Sequence, residues 1–422
     1  MQDEALFLGL DLGTSGARAV VIDAEGLAVA SGSAAMADFG PDPRSPAVWW
    51  AAADHALRAA LAGCDAKRVA AFAVDGTSGT MLPVDDAGAP LSGGLMYNDA
   101  CGDAGVLACI AETAPPTSAA HGSSSGLARA VLLARAVRPH LVLHQADWIA
   151  FHLSSRFVTD ANNALKTGYD PVAGQWPDWI GDAGLEVRLL PRVVAPGTPV
   201  GPVTAKAAAE YGLRPDALVV AGTTDGCASF LATGASEAGD GVTALGTTLT
   251  LKILSDRPIF APQSGIYSHR ILGKWLAGGA SNTGGNVLLA HFTPERIAEL
   301  SARIDPAKDS GLDYYPLLRP GERFPVADPD LAPRLTPRPD DDAAFLHGLL
   351  DGIAGIEAMG YARLTELGAP PLARLRSVGG GAGNTVWSAL RQRRLGVPFA
   401  APDSMQAAYG TARLARAGAA RA

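Results

Sequence analysis

The sequence predicts an α/β protein of two lobes built by duplication. Three observations predict it. The chain has 422 residues, more than one typical core can hold. Short apolar strands alternate with segments of helical periodicity along its whole length. A particular corner, made of an apolar strand, a turn of small residues and an apolar return strand, occurs in residues 6–22 (LFLGLDLGTSGARAVVI) and again in residues 242–254 (VTALGTTLTLKIL). Two such corners about half a chain apart suggest one phosphate-facing hairpin from each of two related lobes. The lobe boundary is expected near Thr233. Residues 1–232 plus 406–422 would form the N-terminal lobe, and residues 233–405 the C-terminal lobe.

The elements follow in order. Leu6–Leu12, Ala17–Ile22 and Leu27–Ser33 read as an antiparallel meander with turns at Gly13–Gly16 and Asp23–Gly26. Ser45–Ala62 has helical spacing, with Pro46 near its start. Val69–Val74 is an apolar strand that enters Asp75-Gly76-Thr77-Ser78-Gly79, and Thr80–Val84 is a further strand. Gly126–Val137 and Gln145–Leu153 read as helices, Leu141–Leu143 as a short strand, and Asn162–Pro171 as a loop. After proline-rich connectors and a helix near Ala205–Tyr211, the strand Leu218–Ala221 leads into Gly222-Thr223-Thr224-Asp225-Gly226 and a helix from Cys227 to Ala232. The second corner follows. Residues 305–342 lack periodicity and read as a long surface excursion. Ala343–Leu367 is a long helix, Arg376–Val378 a strand into the glycine run 379–383, and Thr385–Leu395 a helix. Met405–Ala417 reads as a last helix with Gly418 as its stop signal. That helix is expected to return to the first lobe.

Composition narrows the function. Hydrophobic residues are 48% and charged residues 18%, a well-buried globular balance. A net charge of −8 argues against a nucleic-acid surface, and the only local basic run is Arg391, Arg393 and Arg394. The four cysteines form no CxxC pair, so neither zinc nor a disulfide framework is indicated. The N-terminal MQDEALFLG lacks a basic region and a cleavage site, and no apolar run reaches spanning length, so a cytoplasmic location is expected. No Walker loop is present, because Gly273-Lys274 lacks both the upstream glycine and the following Ser or Thr. Gly122-Ser123-Ser124-Ser125-Gly126 formally fits GxSxG, but no buried strand precedes it.

The residues point to phosphate chemistry. In the opening corner, Gly13, Thr14, Ser15 and Gly16 bring backbone N–H and hydroxyl groups close to an anion. Asp11, at the end of the strand, can hold a magnesium ion directly or through its waters. Asp225 follows an apolar strand and opens a helix, where N–H groups favour an ionised carboxylate, so it is the candidate general base. A polyol needs many short polar partners, which makes Gly76 and Ser78 the candidate sugar contacts alongside Asp11 and Asp225. A duplicated domain with a nucleotide between its lobes is the plan of the actin-like, ribonuclease H-like ATPases.

LGLDLGTSGAR, AVDGTSGT, YNDA, AGTTDG, LGTTLTL, GGASN, PGERFP and SVGGGAGNTVW occur in the order found in the FGGY carbohydrate kinases, and this chain resembles that family over nearly its whole length. DYYPL, GERFPVADPD, ADW at 146–148 and NALKTGY at 163–169 are most similar to its short cyanobacterial and plant branch, the xylulose kinase-like D-ribulose kinases. The resemblance implies ATP and Mg2+ as cofactors and a ketopentose as acceptor, D-ribulose first and D-xylulose second. It implies catalysis by Asp225 and Asp11, with magnesium at Asp11. Gly13, Thr14, Ser15, Gly246 and Thr247 would meet the phosphates, Thr248 beside them, and Gly380, Gly381, Asn384 and Trp387 would line the adenine pocket. Tyr97, Asn98 and Asp99 form the YNDA-like segment. One departure stands out: many xylulose kinases carry a lysine–tryptophan pair after a serine-rich loop, where this chain has Arg129 and no nearby tryptophan. The alternative of another class is a nucleotide-operated regulatory protein on the same fold. Sugar and ATP are the expected partners, with no nucleic acid or membrane, and the oligomeric state is open.

Overall fold

The computed structural model describes residues 5–422; the first four residues of the stretch read for a leader lie outside it. The chain divides into two compact units. The first comprises residues up to Ala232, the short segment His269–Gly273 and the tail Gln406–Ala422. The second comprises Thr233–Ser268 and Lys274–Met405. His269–Gly273 thus belongs by contact to the first unit, although the sequence reading placed it in the second.

A six-stranded mixed sheet organises the first unit, in the order Ala28–Ala35, Gly16–Ile22, Leu6–Leu12, Val69–Gly76, Leu218–Thr224, Pro199–Pro202. The first three strands are the antiparallel meander, and Leu6–Leu12, Val69–Gly76 and Leu218–Thr224 run parallel. All seven residues of Leu6–Leu12 are buried, as a strand covered on both faces requires. Helix Pro46–Ala62 packs on one face through Trp49, Ala53 and Leu57. Helix Ala407–Ala419 covers the other face through Ala408, Ala412 and Ala415 against Phe7, Val20, Ala71 and Val220.

Helix and sheet meet there at backbone distance. A Cβ added to Gly9 would lie 2.1 Å from Ala408 O, and the same helix packs as closely on the helix Asp225–Ala232, where a Cβ added to Gly410 would lie 1.9 Å from Ala228 O. Gly418 is not a stop signal. It lies inside the helix, where a Cβ would meet the Val220 side chain at 2.5 Å. The glycine serves helix–sheet approach rather than capping.

The second unit repeats the plan. Asp240–Leu245 pairs antiparallel with Leu249–Ser255 and parallel with Arg374–Val378, with Lys274–Ser281 and Phe399–Ala400 outside them. The long helix Asp342–Glu366 supplies Phe345, Leu346, Leu349 and Ile353 to its core. The excursion at residues 305–342 has few regular elements, but it is not wholly at the surface: Tyr314, Tyr315, Leu317 and Phe324 are core residues. Asn162–Pro171 is likewise not a plain loop. Asp160 caps a short helix at Ala161–Ala164, followed by a 3-10 turn at Leu165–Thr167.

The three clustered arginines make no basic patch. Arg391 is buried against Glu357, Arg393 pairs with Asp309 and Arg394 with Asp351. All four cysteines are free. Among the described residues no helix is long and apolar enough to cross a membrane.

The Gly9 contact yields a direct test. Gly9→Ala should destabilise the first unit by roughly 3 kcal/mol, because backbone lies on the far side of the contact. Gly102→Ala, where nothing lies within 4 Å, should leave thermal unfolding unchanged.

Candidate active site

Strand register assembles the acidic centre. Asp11 and Asp75 are direct partners across the parallel pair Leu6–Leu12 and Val69–Gly76. Thr223 lies opposite Asp75 from the other side, and Asp225 opens the next helix two residues later. Three carboxylates therefore gather where these parallel strands end. The strand carrying Thr223 bulges between Val220 and Thr223, and Gly222 is needed there: a Cβ would stand 1.7 Å from Val74 O.

Asp11 is 7% exposed and Asp75 0%. Burial pushes the Asp11 carboxyl up, the hydrogen bond to Asp75 opposes this, the Asp225 charge adds to the rise, and Arg18 across the hairpin draws it back. Burial pushes Asp75 well above the usual carboxylate range, with further repulsion from Asp11, while the Thr411 hydroxyl, donating to Asp75 Oδ2, opposes the rise. Thr411 belongs to the helix Ala407–Ala419. The half-buried Asp225 accepts from Gly226 N at 2.6 Å.

A second layer holds this end of the sheet. Asn162 Nδ2 donates to Thr223 Oγ1 at 2.8 Å and to Arg270 O at 2.7 Å, while Arg270 N donates to Asn162 Oδ1 at 2.7 Å. Asn163 Nδ2 donates to Asp160 Oδ2 at 2.6 Å and to Thr223 O at 3.1 Å. Burial, with repulsion from Asp147, raises Asp160 to about 7 against its hydrogen bonds from Asn163 and Asn162.

The donor chemistry at Asp11 suits magnesium. A hard cation takes carboxylate, phosphate and water oxygens, and magnesium is usually held by one or two carboxylates plus substrate phosphates. Asp11, with Asp225 near enough to shift it, supplies that donor type. Among the described residues no group of three or more His, Cys, Asp or Glu side chains is placed to hold a metal ion.

The predicted sugar loop is held firmly. Thr77 Oγ1 and Thr80 Oγ1 lie 2.5 Å apart, and Thr80 Oγ1 accepts from Tyr97 N at 3.0 Å. Ser78 Oγ is buried without a hydrogen-bond partner, as are Asp75 Oδ1 and Gln145 Nε2. Such orphaned atoms are rare in native structures and mark places where a ligand or water completes the bonding. Gly76 ends the strand, where an added Cβ would make only ordinary contacts with Ala146 and Gln145 at 3.4–3.5 Å.

In the opening turn Gly13 N donates to Gly16 O at 3.0 Å, so that N–H is spent on the turn, while Thr14 and Ser15 stand exposed at the tip.

The second unit contains a cavity of about 680 Å³. One wall is the turn Gly246-Thr247 with the glycine run from Gly380; the other is Leu288, Pro294, Ile297 and Ala298. Its size and apolar walls suit a nucleoside. Gly379 has φ +87°, and a Cβ there would lie 2.8 Å from Leu245 O. Asn384 and Trp387 both line the cavity and also brace it. Trp387 is 2% exposed and donates its indole N–H to Leu350 O at 3.1 Å. It lines the cavity beneath Gly381, with its indole N–H committed to Leu350. Asn384 caps its helix through Trp387 N at 2.9 Å and holds Ser301 Oγ at 2.9 Å, so it ties the two walls together.

Sequence reasoning takes Asp75 only as part of the sugar loop and misses its pairing with Asp11, as it misses Gln145, Thr411 and the wall helix Pro294–Ser301. Asp75 had a signal: AFAVD repeats the apolar-strand-to-aspartate pattern of LGLD. Thr411 had none, because only the fold brings it to Asp75.

Two mixed-sheet α/β units, one with a carboxylate cluster at its strand ends and one with a nucleoside-sized cavity, define an actin-like ATPase fold in the service of phosphoryl transfer. Residues 241–419 match the FGGY family of carbohydrate kinases, C-terminal domain. The xylulose kinase of Streptomyces rubiginosus is 29% identical over 95% of this chain and 85% of its own length. The xyloylose kinase of Brucella ovis superposes with TM-score 0.85 at 24% identity, covering 99% of this chain and 91% of its own. The xylulose kinase of Bifidobacterium adolescentis does so with TM-score 0.83 at 21% identity, over 99% and 93%. The protein is a carbohydrate kinase, a phosphotransferase, and its residues 241–419 are similar to the C-terminal domain of the FGGY kinases.

Asp160 provides a pH test of the second layer. With its carboxyl raised to about 7, the native state holds a proton that the unfolded chain releases near pH 4, so its contribution to stability falls as pH rises between about 4 and 7. Asp160→Asn should remove that slope. Thermal melting across this range should show the variant gaining on the wild type as pH rises; a constant difference would contradict it.

Proposed function

We propose that the protein transfers the γ-phosphoryl of ATP to a ketopentose, with D-ribulose as the first acceptor and D-ribulose 5-phosphate as product. The carboxylate cluster of the first unit carries this reading. Phosphoryl transfer passes through a loose transition state, so it asks a protein for positioning, charge neutralisation and one base for the acceptor hydroxyl. Asp225, at the mouth of its helix and fixed through the Gly226 amide, takes the hydroxyl proton. Asp11 is the residue that would hold the magnesium ion accompanying ATP; bound there, the ion neutralises phosphate charge. Asp75 supports Asp11 from the adjacent strand. Ser78 Oγ, with its hydrogen bonding unfilled, serves the sugar hydroxyls.

Nucleotide binding falls to the second unit. The adenosine occupies the cavity between the Gly380–Gly381 run and the Leu288 and Ile297 wall, with Gly246 and Thr247 toward the phosphates. Thr14 and Ser15 are the first unit's exposed phosphate contacts. The first unit thus carries sugar and magnesium and the second carries ATP. We place the reaction in the cytoplasm, where four free thiols stay reduced.

D-xylulose is the second reading, favoured by the name of the Streptomyces rubiginosus relative. The two sugars differ in stereochemistry at one carbon, so the decision lies in the polar contacts around Ser78. Coupled ADP release against D-ribulose, D-xylulose, pentitols, glycerol and hexoses decides between them. D-Ribulose should give the highest kcat/KM; a higher value for D-xylulose would replace the first reading, and no response to any ketopentose would remove both.

Asp225→Asn should bind ATP normally and lose turnover by roughly 10²- to 10⁴-fold, the usual worth of a general base. Near-native turnover would exclude Asp225 as the base.

A further inference from the structure

Arg129 lies on the helix Gly126–Ala136, where an arginine is out of place: its side chain is 1% exposed and no carboxylate hydrogen-bonds it. Burying a guanidinium is costly unless its donors are filled. They are filled here by peptide carbonyls from three separate segments. Nε donates to Gly79 O at 2.8 Å, Nη1 to Tyr97 O and Asp99 O at 3.1 Å each, and Nη2 to Ser124 O at 2.9 Å. Burial draws the group down only to about 10, so it stays charged at neutral pH.

Those three segments surround the loop assigned to the sugar. Gly79 directly follows Ser78, whose hydroxyl is buried and without a partner. Gly79 itself has φ +90°, and a Cβ there would come within 2.6 Å of Arg129 Nη2, so turn and guanidinium fit each other closely. Tyr97–Asp99 is also held from outside by the exposed ion pair of Asp99 with Arg44. Ser124 lies just before the N-cap Ser125 of Arg129's own helix.

Resting on the kinase reading above, we propose that Arg129 is a positioning residue for the acceptor sugar: one buried guanidinium fixes the Ser78–Gly79 turn, the Tyr97–Asp99 segment and the Ser124 loop as a single wall of the sugar site. The geometry explains why arginine stands here. Its planar fork sends donors in three directions, whereas a lysine ammonium has three donors at one point and cannot span the same carbonyls. The substitution Arg129→Lys keeps the charge and removes the span. Arg129 touches neither Asp11 nor Asp225 in any hydrogen bond, so its loss should act on sugar binding and not on the chemical step.

The test is steady-state kinetics of Arg129→Lys and Arg129→Gln, with amide exchange on the same proteins. The expected result is a rise of tenfold or more in KM for the ketopentose, kcat within about threefold of wild type, and an unchanged KM for ATP. Amide exchange should quicken at residues 79–80, 97–101 and 123–125 together. Equal rises in both KM values, or an unchanged sugar KM, would overturn the proposal. Should both variants fail to fold, Arg44→Ala, which loosens Tyr97–Asp99 from its exposed side, should raise the sugar KM alone by a smaller factor; no change there would also count against the wall. A wild type that phosphorylates no ketopentose removes the acceptor reading, and the wall then stands or falls on whether exchange in the three segments quickens together.

Discussion

The first unit depends on placing like charges side by side at the end of a buried sheet. Parallel register puts Asp11 beside Asp75, and the next strand delivers Asp225 to the same end. Burial raises both strand carboxylates, helped by the Asp225 charge at Asp11 and by the Asp11 charge at Asp75, so the arrangement opposes folding unless other groups offset it. The offsets are visible. Thr411 donates to Asp75, Arg18 faces Asp11 across the hairpin, and the Asn162–Asn163 pair fixes the strand that leads to Asp225. A site that concentrates negative charge in this way is suited to receive a cation together with phosphates.

The two units share this ladder, and their difference shows how one plan came to serve two tasks. Asp11 pairs with Asp75 in the first unit, and Ala244 pairs with Val378 in the second. The residues after each pair differ in the same sense. Gly76-Thr77-Ser78 presents hydroxyls; Gly379-Gly380-Gly381 presents bare backbone. The acidic ladder with a hydroxyl loop suits cation and polyol, while the neutral ladder with a glycine run leaves room for a flat, largely apolar base.

Much of this was legible in the sequence, for physical reasons. Both corners, most strands and the helices Pro46–Ala62, Ala205–Tyr211 and Thr385–Leu395 follow from periodicity and turn chemistry. What was not legible depended on long-range contact. Gly418 resembles a helix stop until Val220 is seen beneath it. Trp387 lines the cavity as its place one turn past Asn384 suggests, but only the fold shows its indole N–H committed to Leu350. Arg129 read as a departure from a lysine; its meaning lies in four carbonyls that sequence spacing cannot bring together.

The helix Ala407–Ala419 shows what such long-range closure does. It follows the whole second unit in the chain, yet it covers the sheet of the first. Its approach to that sheet is so close that Gly9 admits no side chain, and its approach to the helix Asp225–Ala232 leaves none at Gly410. The same approach brings Thr411 within reach of Asp75. Helix packing and carboxylate stabilisation are therefore one event: without the glycines the helix would stand off, and buried Asp75 would lose the Thr411 hydroxyl that opposes its rise. The alanine-rich face of that helix, which looks bland in the sequence, is the feature that makes an acidic strand end tolerable inside a folded core.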